Sequence, residues 1–304
     1  MFASELMLRA LLAAVVIGVC APVLGTYLVQ RRMALIGDGI GHVALTGVGV
    51  GLLLDQSPVL SAVLVSAACA VGVELVRERG RTPGDLALAV LFYGGIAGGV
   101  LLVGAAGRRS GGNLLSYLFG SLGTVSDTDL AVICGLGGAV LLLLLLLRPA
   151  LFAVCHDEEF AKVSGLPVRT LNLLLAATTA VTVTIAMRAV GLLLVSALMV
   201  VPVAAAQQLA RGFRATLYTA MAVGVCAAFV GVTVSWQAAT APGATIVLVA
   251  IAAFVLATLA GGARRWAARW RRPAHPAPPP PHRCPPRVYR RTAPGQPAGR
   301  GAGR

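Results

Sequence analysis

The sequence predicts an all-α integral membrane protein built as a bundle of about nine spans. Three observations predict it. The 304 residues are 58% hydrophobic and only 12% charged, with a mean hydropathy of +0.85, whereas a soluble domain is close to a quarter charged. Apolar windows of about 20 residues recur along the chain, each bounded by charge or turn residues. The basic residues concentrate on alternate connections between those windows, as cytoplasmic loops of a multi-pass protein do.

The windows lie near 6–29, 36–54, 58–76, 86–105, 129–147, 168–188, 190–209, 215–236 and 243–262. The first runs into Arg31-Arg32 without a small-residue cleavage site, so it is expected to stay as a helix. The second carries Gly37, Gly39, Gly41 and Gly47, which admit neighbouring backbone closely and weaken the helix. Residues 113–126 are amphipathic and too polar to span, and are expected to form a re-entrant or interfacial helix. Residues 155–167 are the longest charged connection. Asp157, Glu158 and Glu159 suit a helix start and Gly165 with Pro167 its end, which predicts a short helix on the cytoplasmic face. The sixth and seventh windows, separated only by Arg188-Ala-Val-Gly191, form a broken pair.

Arg31, Arg32, the Arg77-Glu-Arg-Gly-Arg81 run, residues 148–169, Arg211, Arg214 and the C-terminal tail share one side. The other side holds only Arg9, Arg108, Arg109 and Arg188, so the N-terminus is expected outside and the C-terminus in the cytoplasm. Two regions follow: a transmembrane domain over 1–262 and a basic Pro/Gly-rich tail over 263–304, expected to be disordered. Of the net charge of +14, the tail contributes +11 and the body +3. Such a tail reads as an anchor to anionic membrane lipid; it lacks the aromatic or helical interleaving of a nucleic-acid site.

Six cysteines without a C-x-x-C pair read as packing residues. The only lysine, Lys162, is not preceded by the glycines of a phosphate-binding loop, and no hydrolytic motif is present. The chain is therefore expected to be no enzyme and to hold no cofactor. If ATP drives it, the ATPase is another chain.

One constellation carries chemistry. Asp38 and His42 stand four residues apart in an apolar segment, so both project from one helix face. An ionisable pair in hydrocarbon is costly unless it faces the protein interior and has a use. A carboxylate oxygen and an imidazole nitrogen are half a coordination shell for a divalent transition metal; the plainer reading is a polar contact gluing two helices. Cys155-His156-Asp157 reads as a solvated loop because adjacent residues point apart. His275, His282 and Cys284 read as incidental ligands of the tail, and Met187 and Met199 as packing residues.

Four blocks carry a resemblance: Gln30-Arg-Arg-Met-Ala-Leu-Ile-Gly-Asp-Gly-Ile-Gly-His42, Leu115-Ser-Tyr-Leu-Phe-Gly-Ser-Leu122, Phe160-Ala-Lys-Val-Ser-Gly-Leu-Pro-Val-Arg169, and Arg188-Ala-Val-Gly-Leu-Leu-Leu-Val-Ser-Ala-Leu-Met-Val-Val-Pro202. With Gly243-Ala-Thr-Ile246 they span residues 1 to about 262. In that order they resemble the membrane permease subunits of ABC-type zinc and manganese importers. The resemblance implies a bacterial plasma-membrane protein that pairs with a second permease copy as a homodimer or close heterodimer, beneath an extracytoplasmic metal-binding lipoprotein and above a cytoplasmic ATP-binding subunit. It further implies that Asp38 and His42 meet the ion in transit. It also implies that Asp157, Glu158, Glu159, Phe160, Ala161 and Gly165 belong to the coupling helix that seats in the ATPase. Zinc is favoured, with manganese and ferrous iron as the other cargoes. The alternative is a stand-alone ion-coupled secondary transporter, which would predict inverted repeats and more intramembrane acids. The chain departs from the family pattern at Gly41 and Thr46, where Ser and Pro are common, and at Ala239-Thr-Ala-Pro-Gly243, where many members carry an acid.

Overall fold

The computed structural model describes residues 5–78, 84–110, 120, 126–238 and 240–270. These form eleven helices: α1 (Glu5–Gln30), α2 (Ile36–Leu53), α3 (Pro58–Glu78), α4 (Gly84–Ser110), α5 (Asp127–Leu146), α6 (Arg148–His156), α7 (Glu158–Val163), α8 (Val168–Val190), α9 (Leu192–Leu209), α10 (Phe213–Ala238) and α11 (Pro242–Trp270). Among the described residues, the nine other than α6 and α7 are long and apolar enough to cross a membrane, and no strand occurs. Each predicted window coincides with one of these nine to within a few residues.

Two helical stretches exceed the expectation. Residues 148–156, anticipated as part of a charged connection, form α6, started by Pro149 in its first turn, where a missing N–H costs nothing. The last helix runs to Trp270 rather than stopping at 262. Its extension, Ala-Arg-Arg-Trp-Ala-Ala-Arg-Trp, is mostly strong helix formers with cations at the negative end of the helix dipole. Residues 1–264 make one compact unit; of a second, 265–304, only the end of α11 is described. Of the segment 113–126 only Gly120 and Ser126 are described. The remainder, with Ala239, His275, His282 and Cys284, lies outside the described residues.

α1, α2 and α8 are the most enclosed spans. α2 packs against α3, α4 and α8, while α1 packs against α10, α9 and α5. Between helices in lipid there is no hydrophobic drive, so association rests on close packing and small residues. Gly18 and Gly224 show it: a Cβ on Gly18 would lie 2.9 Å from the Gly224 carbonyl oxygen, so α1 and α10 touch backbone to backbone. Buried hydroxyls add interhelical contacts, as with Ser66 Oγ and Thr184 Oγ1, 2.8 Å apart between α3 and α8.

The helix ends are set locally. Ser126 caps α5 in a reciprocal capping box with Asp129. α8 and α9 are divided by Gly191 alone, at φ 86° and ψ 155°, a region open only to glycine. The α1–α2 turn is closed by bonds from Met33 N to Leu28 O (2.9 Å) and from Arg32 N to Val29 O (3.1 Å). Arg32 takes the left-handed conformation at φ 59° that such a terminus demands.

Candidate functional site

Asp38 lies in the first turn of α2, where unbonded N–H groups favour a carboxylate. Its Oδ1 accepts a 3.1 Å hydrogen bond from Ser196 Oγ of α9 and lies 3.8 Å from His42 Nε2, one turn along α2. That separation is beyond hydrogen-bonding range. Two donor atoms each about 2.1 Å from a tetrahedral ion stand about 3.4 Å apart. The pair is thus within a few tenths of an ångström of the spacing at which both donors reach one ion.

α4 completes the surroundings. The Phe92 ring meets the His42 imidazole edge-on, with centroids 4.9 Å apart at 82°. Three residues on, Gly95 lets the helices close, since a Cβ there would lie 2.7 Å from Val43 N and 2.8 Å from the His42 carbonyl carbon. Thr46 Oγ1 donates a 2.9 Å bond to Gly95 O, tying α2 to α4. Gly41 faces Leu192, whose Cδ1 fills the space a Cβ would take. The departures at Gly41 and Thr46 therefore have local partners in this chain.

A cavity of about 320 Å³ reaches the site, lined by Leu35, Asp38, Leu88, Ala89, Phe92 and Tyr93. Asp38 is the only charged residue among these. The carboxylate side chain is 26% exposed and the imidazole 14%. Among the described residues no cluster of three His, Cys, Asp or Glu is present. The donors present are one carboxylate and one imidazole, with the Ser196 hydroxyl hydrogen-bonded to the carboxylate. Met187 and Met199 are both buried in the core.

The short helix α7 sits at the α6–α8 connection. Asp157 is its N-cap, Oδ1 accepting 3.0 Å from Phe160 N. Gly165 closes it at φ 80°, with Leu166 N bonded to Ala161 O and Gly165 N to Lys162 O, each 3.1 Å. Ala161 is fully buried and anchors the helix inward, while Glu159 is exposed, Phe160 is 66% exposed and Val163 88% exposed. An apolar pair at i and i+3 thus points outward. Val163 was not singled out from the sequence, although that spacing was there to read. Neighbouring side chains of the Cys155-His156-Asp157 run diverge. Cys155 Sγ lies 3.8 Å from Tyr27 O, with burial pushing its thiol pKa up to about 11 against the opposing charge of Arg31; His156 stacks on Phe152.

An ion network joins α7 to the spans. Arg31, only 6% exposed, places Nη2 3.7 Å from Glu74 Oε1 and 4.0 Å from Glu158 Oε2. Glu74, 3% exposed on α3, is already gripped by Arg77 through Nε at 3.1 Å and Nη2 at 2.8 Å. Arg31 Nη2 is therefore buried with charges near it and no hydrogen bond. Burial pulls the Arg31 pKa down, Arg77 adds to that, and Glu74, Cys155 and Glu158 oppose it. Burial alone pushes Glu158 up. The hydrogen bond and charge of Lys162 (3.0 Å), with Arg31 and Arg77, hold it below its ordinary value.

Among the described residues nine helices have membrane length, and the carboxylate–imidazole pair lies on the second of them; that is the build of a multi-pass membrane protein. The chain belongs to the ABC 3 transport family, which matches residues 3–261. It is 34% identical over 82% of its length to the manganese transport system membrane protein MntC of Halalkalibacterium halodurans, covering 85% of that protein. It is 33% identical over 85% of its length to the chelated iron transport system membrane protein YfeD of Yersinia pestis, covering 86% of it. The solved structure of PsaBC from Streptococcus pneumoniae in complex with Fab superposes with a TM-score of 0.78 at 27% identity, covering 88% of this chain and 96% of that one. The protein is a permease subunit of an ABC-type metal importer.

Proposed function

We propose that Asp38 and His42 form a transient waypoint for a divalent transition metal entering the cytoplasm, driven by ATP hydrolysis on a separate subunit that docks on α7. The observation that carries this reading is the Asp38–His42 pair itself, 3.8 Å apart and beside a cavity. The ion is handed over outside by a metal-binding lipoprotein, passes between two permease copies in the bacterial plasma membrane, and leaves on the side of α7 and the arginine-rich connections. Asp38 offsets the ion's charge, His42 supplies a borderline-soft nitrogen, and Ser196 holds the carboxylate in position. Conduction requires weak, few-ligand binding, so a two-donor site suits it where a closed four-ligand cage would trap the ion. Oxygen–nitrogen donors accept zinc, manganese and ferrous iron; manganese is at the weak end of the affinity series, so zinc is the ion this pair holds the more firmly of the two. Family membership supports ATP drive over the ion-coupled alternative.

The test is metal uptake by cells in which the intact transport system carries Asp38→Ala or His42→Ala, with zinc, manganese and ferrous iron supplied in turn. Both variants are expected to lose uptake while remaining in the membrane. Normal uptake by both would overturn the waypoint. In the same cells, Glu158→Lys with Glu159→Lys is expected to abolish uptake by weakening the docking of the ATP-binding subunit.

A further inference from the structure

A second cavity, of about 580 Å³, lies away from the metal pair and is lined by Arg148, Pro149, Phe152, Arg211, Gly212, Phe213, Arg214 and Ala215. Its charge is one-sided, with three arginines and no acid. Among the described residues none of the three arginines is ion-paired; Arg148 Nη1 donates only to Tyr218 Oη, at 3.4 Å. The wall is aromatic. Phe152 and Phe213 pack with centroids 4.9 Å apart, and Phe213 rests on Tyr27 of α1 at 5.4 Å.

Its height in the molecule is set by the spans. Arg148 follows the end of α5 at Leu146 by two residues, and Arg211 and Gly212 occupy the turn between α9 and α10. The arginines therefore stand where two apolar spans stop and a third begins; the exposed Leu145 and Leu146 close the span just before Arg148, and exposed Tyr218 accepts its hydrogen bond. Aromatic rings and cations at that level match the headgroup zone of a bilayer. A basic pocket at the ends of spans, between α6 and the α9–α10 turn, suits an anionic headgroup, and its volume lies in the usual range for a small-molecule site.

We propose that this cavity binds the phosphate headgroup of an anionic phospholipid, the arginines taking the phosphodiester and the exposed leucines the first part of the acyl chains. Free phosphate offers similar anionic oxygens but leaves the apolar wall without a partner, so the proposal commits to the lipid.

The experiment uses the full purified chain without its partners. Phosphatidylglycerol and phosphatidylcholine are titrated separately and the retained lipid counted by native mass spectrometry, with glycerol 3-phosphate and inorganic phosphate as soluble competitors. Phosphatidylglycerol is expected to bind selectively, each Arg→Gln change at 148, 211 or 214 weakening it roughly fivefold. The triple Arg→Lys variant, which keeps the charge, should retain most of the binding. Arg169→Gln, which removes a charge elsewhere, should leave it unchanged. Three results would overturn the proposal: equal retention of both lipids, unaltered phosphatidylglycerol binding by the triple Arg→Gln variant, or full competition by inorganic phosphate.

Discussion

Glu74→Gln removes a carboxylate that two arginines share, and the cost can be worked from the distances. Arg31 Nη2 lies 3.7 Å from Glu74 Oε1, a separation at which unit charges attract by about 4.5 kcal/mol with an effective dielectric of about 20. Arg77 is a quarter exposed and can turn to solvent. Arg31 cannot, since its side chain is 6% exposed and only Glu158, at 4.0 Å, would remain to face it. A buried cation stripped of its partner typically costs about 3–5 kcal/mol. Glu158 and the glutamine amide offset some of that, so the expected loss is about 3 kcal/mol. The assay is denaturant unfolding of the purified protein in detergent, run on Glu74→Gln, Arg31→Met and the double variant. The double variant should recover much of the loss, because it leaves no stranded charge. A Glu74→Gln protein within about 0.5 kcal/mol of the wild type would refute the reasoning, as would single losses that simply add. Because Arg31 also faces Glu158 on α7, the single variant should loosen the link between α7 and the spans.

A Cβ on Gly25 would run into the backbone of Met199, whereas one on Gly37 would meet only the Met199 sulfur at 2.8 Å. Gly25→Ala should therefore cost about 1–3 kcal/mol and Gly37→Ala clearly less, read by the same unfolding assay. The depressed pKa of Glu158 means its pairing stabilises the folded protein above the ordinary glutamate value of about 4.3 and is lost as pH falls through the lower folded value. Wild type should exceed Glu158→Gln in thermal midpoint at pH 7, with the gap closing below about pH 4; a constant gap would remove the ion pair as its cause.

Much of the fold was legible because its signals are local. A membrane span is a property of about 20 consecutive residues, so the nine windows coincide with nine helices. The α7 ends at Asp157 and Gly165 follow from side-chain capping and a left-handed turn that need no distant partner. α6 was hidden because nine residues with polar ends have neither the length of a span nor a clean period. Arg31 was misleading in another way. A cation next to a span end reads as a solvated loop charge, yet it is buried between acids from α3 and α7.

The sequence by itself determined that Asp38 and His42 share a face of α2, because a four-residue spacing is one helical turn wherever the helix lies. It also determined that an acid in an apolar span needs a use. Only the tertiary structure decided what surrounds them. Ser196 lies 158 residues from Asp38 and Gly95 lies 49 from Thr46, and each meets its partner because whole helices pack together. No local pattern encodes such pairings; they arise where glycines let two backbones close and a buried polar atom must find a partner.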